Sequence, residues 1–404
     1  MSVRSSANPP GILLFICYLG FVSLGLPDTL IGVAWPSVRK TFGLQHSDSA
    51  WIFFGAGCSY LLSSFFAGRL LKMMNVGVLL AGSSALVALS GFDYSFAQVW
   101  SLFALGSLLQ GLGSGAIDAG LNHYVASHFS ARHMNWLHAC YSLGAMLGPL
   151  VMTAMIACSN SWRLGYLVVA VTLLVLSLLF SLTKARWDNH GHVPASAADE
   201  SEATQHISTA QALRNRTVWF HMVLFFVYTG LEVSLGQWSF TVLTESRRID
   251  PGLAGIWVTI YWASILAGRI LFGFVVERFG LDALIRISTV AVLVGTALFA
   301  WNPAPLISPL ALGIAGFGLA PIFPCLMTRT PQRLGKQIAA HAIGFQVGAA
   351  MIGAAALPSL TGLIAQYFGL SLVGLTILAM AVVLVVLHEG VVAKAVSRKL
   401  KAEI

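Results

Sequence analysis

Three carboxylates stand where carboxylates are costly. Of fifteen Asp and Glu, only Asp28, Asp118 and Glu232 fall well inside long apolar runs. A charge at the middle of a bilayer costs about 2.5–3.5 kcal/mol on insertion scales, so each is expected to face a wet cavity or a partner and to mark a solute or proton path. Asp118 lies in Gln110-Gly-Leu-Gly-Ser-Gly-Ala-Ile-Asp118-Ala-Gly-Leu-Asn122. On a helix, the i, i+4 spacing sets Gln110, Ser114, Asp118 and Asn122 along one face. A polar stripe in an apolar span suits the wall of a watery chamber; the competing reading is a hydrogen-bonded strut between helices. Asp28 follows Pro27, which removes a backbone donor and kinks its helix, freeing a carbonyl for solute or cation. The competing reading there is a cap on the broken helix. Glu232 opens Glu232-Val-Ser234-Leu-Gly236-Gln237-Trp238. Gln237 can both donate to and accept from a polyol. Trp238 can stack on a sugar face or sit as a belt aromatic at the membrane interface. His138, in Asn135-Trp-Leu-His138, can titrate near neutral pH or donate to a hydroxyl, or lie capped near the membrane face. Gln346 and His341 are lesser candidates of the same kind.

These groups need elements to carry them. The chain has 404 residues, 57% hydrophobic and 9% charged, with a mean hydropathy of +0.80. A soluble domain carries about 25% charged residues, so a soluble enzyme, a nucleic-acid binder and a disordered regulator are excluded. A bilayer core about 30 Å thick takes about 20 apolar residues per helix. Twelve such runs lie near 11–36, 49–68, 76–92, 96–124, 136–157, 163–183, 217–240, 253–275, 283–301, 306–328, 338–358 and 370–392. No small-residue cleavage site follows the first, which reads as a retained span. Pro321 and Pro324 break the tenth, as suits a helix lining a cavity. With the N-terminus in the cytoplasm, eighteen of the 23 Lys and Arg fall on the inner side and five outside. Both termini are therefore expected in the cytoplasm, with the chain crossing the inner or plasma membrane many times.

From Lys184 the composition turns polar, and the stretch to about residue 216 reads as a cytoplasmic linker. The expected organisation is a six-helix bundle over 1–183, the linker over 184–216, a second six-helix bundle over 217–392 and a cytoplasmic tail over 393–404. The linker's Asn-His-Gly-His suits a solvated loop better than a metal site. The five cysteines show no CxxC and no close His pairing, so neither a disulfide nor a metal is expected.

The two halves repeat at one offset of 205 residues. Phe21-Val22-x-x-Gly25-Leu26 returns as Phe226-Val227-x-x-Gly230-Leu231, Gly68 as Gly273, Gly111 and Gly113 as Gly316 and Gly318, and Gly148 as Gly353. Six spans per half keep both halves in one orientation, as parallel repeats about an axis along the membrane normal. Asp28 and Glu232 fall at nearly equivalent places in this repeat.

Twelve spans, a parallel six-plus-six repeat and a long central loop resemble the major facilitator superfamily. Gly273-Phe-Val-Val-Glu277-Arg278-Phe-Gly280 resembles that family's loop motif, whose acid and Arg latch the cytoplasmic side in the outward-facing state. The matching first-half loop holds Lys72 at the acid position, against the pattern. The Asp118-x-x-x-Asn122 spacing, and the stretch from Asn135 to Gly148-Pro149, are similar to the fucose–galactose–hexose–uronide symporters. That resemblance implies that acids in the first and fourth spans serve proton coupling and sugar binding.

The fold class expected is thus an all-α polytopic membrane protein, twelve transmembrane helices in two parallel-repeat six-helix bundles. The function expected is secondary active transport by alternating access. Asp118, Asp28 and Glu232 are the proton-coupling candidates, Asp118 first. Asn122, His138, Gln237, Trp238, Gln110 and Gln346 are the solute-binding candidates, and Gly273, Glu277, Arg278 and Gly280 the latch. The partners expected are a small neutral polyhydroxyl solute, a coupling proton or sodium ion, and the lipid bilayer, without nucleic acid, cofactor or metal. Arg69, Arg269 and Arg329 read as lying at cytoplasmic helix ends, which weighs against phosphate esters and dicarboxylates. Two rivals use the same residues: a proton-coupled exporter of apolar or cationic compounds, and a membrane solute sensor. An enzyme finds no support, since His388-Glu389 lacks the second His of a metalloprotease helix and no nucleophile elbow or phosphate-binding glycine loop occurs.

Overall fold

The computed structural model describes residues 11–129, 131–187 and 209–403; within these, the side chains at 131–132, 135, 273, 275–279, 336, 340 and 394–403 lie outside the description. The first span is two helices, α1 (Gly11–Asp28) and α2 (Leu30–Phe42). Then follow α3 (Ser49–Met73), α4 (Val76–Phe96), α5 (Trp100–His128), α6 (Ala131–Ser159) and α7 (Trp162–Thr183). The second half holds a short α8 (Thr209–Arg214), α9 (Arg216–Thr241) prolonged by a π-turn (Val242–Ser246), α10 (Pro251–Phe279) and α11 (Leu281–Trp301). A second broken span, α12 (Ile307–Leu319) with α13 (Ile322–Leu334), precedes α14 (Lys336–Phe368) and α15 (Ser371–Glu403).

Polar side chains start several helices by accepting from orphan backbone N–H groups. Asn75 accepts from Val78 at 2.8 Å and Asn215 from Thr217 at 2.9 Å. Asp250 accepts from Leu253 at 3.1 Å, with Pro251 in the first turn of α10, where its missing N–H costs nothing. The two interrupted spans break beside proline. Past Pro27, the Thr29 hydroxyl steadies the break by donating to the Ala145 carbonyl of α6 at 2.9 Å. At Pro321, the Leu319 carbonyl instead accepts from the Tyr228 hydroxyl of α9 at 3.2 Å.

Eleven helical segments among the described residues are long and apolar enough to cross a membrane. The twelfth crossing, α5, has the length but not the apolarity, because Gln110, Ser114, Asp118, Asn122 and its glycines dilute it. The largest departures from the expected bounds are three. The helix α14 runs ten residues beyond 358, α15 continues through the expected tail to Glu403, and α8 occupies part of the expected linker. Residues 188–208, which hold the Asn-His-Gly-His segment, lie outside the described residues.

The sequence repeat reappears as a repeat of packing. In the first half α1 packs on α6, α3 on α5 and α4 on α7; in the second α9 packs on α14, α10 on α12 and α11 on α15. The repeated glycines explain how the helices come this close. A Cβ on Gly25 would collide with the Tyr141 carbonyl of α6, and one on Gly353 with the Phe226 carbonyl of α9. Backbone approach of this kind is how membrane helices gain packing that lipid cannot supply. Outward faces carry Phe65, Leu178, Val294 and Val386, all exposed and suited to acyl chains.

Between the halves, α6 meets α10, α3 meets α14 and α2 meets α9. One end of this seam is tied by charge. Arg39 at the end of α2 donates to both carboxylate oxygens of Glu245 in the π-turn, at 2.7 and 2.9 Å, and His46 stands 3.7 Å from the same carboxylate. The His46 backbone N–H donates to Gln366 at 3.0 Å beside it.

Candidate functional site

A cavity of about 530 Å³ lies between the halves, lined by residues of α1 to α7 and of α9, α10, α13 and α14. All three buried-span carboxylates, Asp28, Asp118 and Glu232, line it. It is otherwise aromatic and apolar, with Tyr60, Tyr94, Tyr166, Trp262 and Phe323 among its walls. Concave, mainly apolar spaces with a few convergent polar groups are the usual form of a small-molecule site.

On the first-half wall each acid is held by neutral donors. Asp28 accepts from Gln110 Nε2 at 3.0 Å and from the Tyr141 hydroxyl at 3.2 Å. Gln110 in turn accepts from the Tyr94 hydroxyl at 3.1 Å, which fixes its amide. Asp118 accepts from the Tyr60 hydroxyl at 2.7 Å and from Asn122 Nδ2 at 3.0 Å. The i, i+4 face of α5 therefore points into the cavity, and Gln110, Ser114, Asp118 and Asn122 all line it.

On the second-half wall the acid has a cation. Glu232 accepts from the Tyr228 hydroxyl, one turn earlier on α9, and Arg269 Nη2 stands 3.6 Å from its Oε1. Arg269 also donates across the seam, to Ser142 Oγ at 2.7 Å and to the His138 carbonyl at 3.2 Å, both on α6. His138 lines the cavity, its ring edge-on to Phe21 at 5.4 Å. Gln237 lines it too, and its amide nitrogen is buried without a protein partner. A buried donor left unpaired is costly, so it suits an acceptor that arrives with a ligand.

Trp238, Gln346 and His341 are not brought to this site. Trp238 is wholly buried, donates its indole N–H to the Pro358 carbonyl at 2.9 Å and meets His46 edge-on, so neither sugar stacking nor an interfacial belt describes it. Gln346 is satisfied inside the second half, accepting from Thr330 at 3.1 Å and pairing with His221 at 3.2 Å. His341 is not among the cavity residues. Of the latch, Gly273, Glu277 and Arg278 lie on α10 among the positions whose side chains are outside the description. Gly280 ends α10 at φ 73°, a left-handed conformation that favours glycine.

The residues missed are Arg269, Tyr60, Tyr141 and Tyr228. Arg269 was assigned to a helix end, but α10 runs ten residues past it and carries it into the cavity. The argument against anionic solutes, which rested on there being no mid-span Arg, falls with that correction. The signals were present: a cation inside the 253–275 run, Tyr228 four residues before Glu232, and Tyr141 three residues after His138.

Known proteins bear on this arrangement. The chain is 24% identical over 318 residues to the glucose/mannose transporter GlcP of Bacillus subtilis, covering 77% of this chain and 78% of that one. It is 22% identical over 383 residues to the human sodium-dependent glucose transporter 1, covering 85% of this chain and 72% of that one. Among solved structures, the nucleoside transporter NupG superposes with a TM-score of 0.73 at 15% identity over 96% of this chain and 99% of that one, a likeness of fold. A family model described as Major Facilitator Superfamily matches residues 17–246 and 234–402. With long apolar helices in two repeated bundles about a shared cavity, the chain belongs to the Major Facilitator Superfamily and is a multi-pass membrane transport protein rather than an enzyme.

Proposed function

We propose that the chain is a secondary active transporter that carries a small polyhydroxyl solute of the sugar class together with a proton, by alternating access. One observation carries this reading: Asp28, Asp118 and Glu232, from both halves, line one cavity at the seam. Asp118 and Asp28 serve as proton-exchanging groups, since each has neutral donors and, among the described residues, no cation paired with it. Transit of a neutral solute then requires a positive charge to accompany them. Gln110, Asn122, His138 and Gln237 orient hydroxyls, and the tyrosines offer ring faces. The names of the relatives support a hexose as the solute. We place both termini in the cytoplasm, the halves at 1–183 and 217–392, and the Arg39–Glu245 tie at the outer end. Uptake of a labelled sugar panel into proteoliposomes under an imposed pH gradient tests the reading. Concentrative uptake of at least one hexose is expected; its absence for the whole panel under both proton and sodium gradients overturns the symport.

A second reading replaces the proton with sodium, favoured by the relative named for sodium dependence. The same vesicles separate the two by which gradient drives accumulation.

A further inference from the structure

The stripe of α5 that lines the cavity has a counterpart in the second half, and the two differ in chemistry. At the offset of 205 residues, Gln110, Ser114, Asp118 and Asn122 return as Ala315, Leu319, Phe323 and Met327. Every hydrogen-bonding side chain of the first stripe is apolar in the second. Phe323 and Met327 line the cavity from α13, as Asp118 and Asn122 do from α5. Parallel repeats about an axis along the membrane normal set equivalent residues on opposite sides of that axis. The cavity therefore has a polar wall and, across it, an apolar one.

The neighbouring helix extends the apolar wall. From α14 the cavity receives Val347, Met351, Ala354 and Ala355, and the polar Gln346 beside Val347 is turned away and satisfied by Thr330 and His221. Every residue that α13 and α14 give to the cavity is apolar. Phe323 is seated by Phe225 at 5.2 Å and Tyr228 at 6.1 Å. Phe323, Met327, Val347 and Met351 are all half-buried, so their remaining surface is free to meet a solute. The two methionines are unbranched and adapt to differently shaped apolar groups.

A bare hexose suits only part of this space. Its hydroxyls find partners on α5, α6 and α9, but a hydroxyl turned toward α13 and α14 meets none and loses its hydrogen bonds to water. The volume of about 530 Å³ also lies within the range of pockets that enclose drug-sized ligands, which are larger than a hexose. We propose that the solutes of this cavity include glycosides, with the sugar ring on the α5–α6 wall and an alkyl or aryl aglycone on Phe323, Met327, Val347 and Met351. This rests on the sugar reading for the polar wall and adds the apolar half of the solute.

Proteoliposomes under an imposed pH gradient test it with the α and β anomers of phenyl glucoside and of methyl glucoside. Each is used as a competitor of labelled glucose, and the phenyl glucosides also as labelled solutes. Seating an aryl group in an apolar pocket should make one phenyl anomer inhibit at a concentration about tenfold below that of unlabelled glucose. The matching methyl glucoside, which lacks the ring but has also lost the anomeric hydroxyl, should show much less of this gain. Met327→Asn, which places on α13 the residue type of the equivalent α5 position, should bring the ratio of glucose to phenyl glucoside inhibition close to one. Met351→Asn should act in the same direction, and Met327→Leu should keep the preference. Glucose uptake that neither phenyl anomer inhibits better than glucose itself overturns the proposal and leaves the sugar reading standing. A preference that survives in both Asn variants overturns it as well. Entry of a phenyl glucoside where no free hexose enters keeps the proposal and overturns the free-hexose reading. No uptake of either overturns both.

Discussion

Arg39 and Glu245, 206 residues apart, join the two halves through a bidentate ion pair at one end of the seam. Each side chain is 27% exposed, so the pair is partly solvated. Exposed pairs contribute about 0.2–1 kcal/mol, too little to hold a fold but enough to bias two states that differ by little.

Arg39→Gln or Glu245→Gln should therefore shift the conformational balance by up to about fivefold toward the state open at that end. A cysteine placed at Phe53, a cavity residue, should react correspondingly faster with a membrane-impermeant thiol reagent added on that side. The charge-swapped pair Arg39→Glu/Glu245→Arg should restore the native rate. Equal labelling in all variants would show that the tie does not govern access.

Asp118→Asn and Asp28→Asn keep size but remove a charge and exchange one acceptor oxygen for a donor, as in the protonated acid. Each should abolish gradient-driven accumulation while leaving exchange of solute across the membrane measurable, because exchange needs no net proton release. Tyr60→Phe removes the 2.7 Å donor to Asp118 and should weaken coupling without abolishing it. Full accumulation in both Asn variants would remove these acids from the coupling mechanism.

Trp238 and Gln346 should act on stability and not on solute affinity. Trp238→Phe loses the bond to the Pro358 carbonyl, a loss of about 0.5–1.5 kcal/mol. Gln346→Leu leaves His221 and Thr330 without their buried partner. Both should lower the midpoint of thermal unfolding in detergent with KM unchanged; a raised KM at normal stability would return them to the solute site.

Gly25→Val and Gly353→Val drive side chains into the facing backbone of α6 and α9. Overpacking of this kind costs about 1–3 kcal/mol, and folded yield from membranes should fall for both. Gly390→Val, whose added Cβ meets nothing within 4 Å, serves as the control with native yield.

Much of this protein was legible before any coordinates, because membrane spans and buried charges are unambiguous signals. The polar face of α5 followed from spacing alone, and the offset of 205 residues agrees with the repeated packing of the two halves. Trp238 and Gln346 misled, because composition says a side chain is polar or aromatic but not whether its partner is a ligand or a neighbouring helix. Arg269 was missed for a related reason. The 253–275 run already enclosed it, but hydropathy does not say whether a cation near the end of a span reaches out to the interface or turns inward to a cavity. The tyrosines, which satisfy the acids, were hidden because an aromatic in an apolar span carries no signal of its own.

The modest apolarity of α5 has a consequence for biogenesis. A segment whose oily character has been given up for Gln110, Asp118 and Asn122 partitions poorly into lipid as a lone cylinder. It must be received by α3 and α4, which already flank it, and so the strip of wall that handles the cargo is also the step at which the nascent chain depends most on its neighbours.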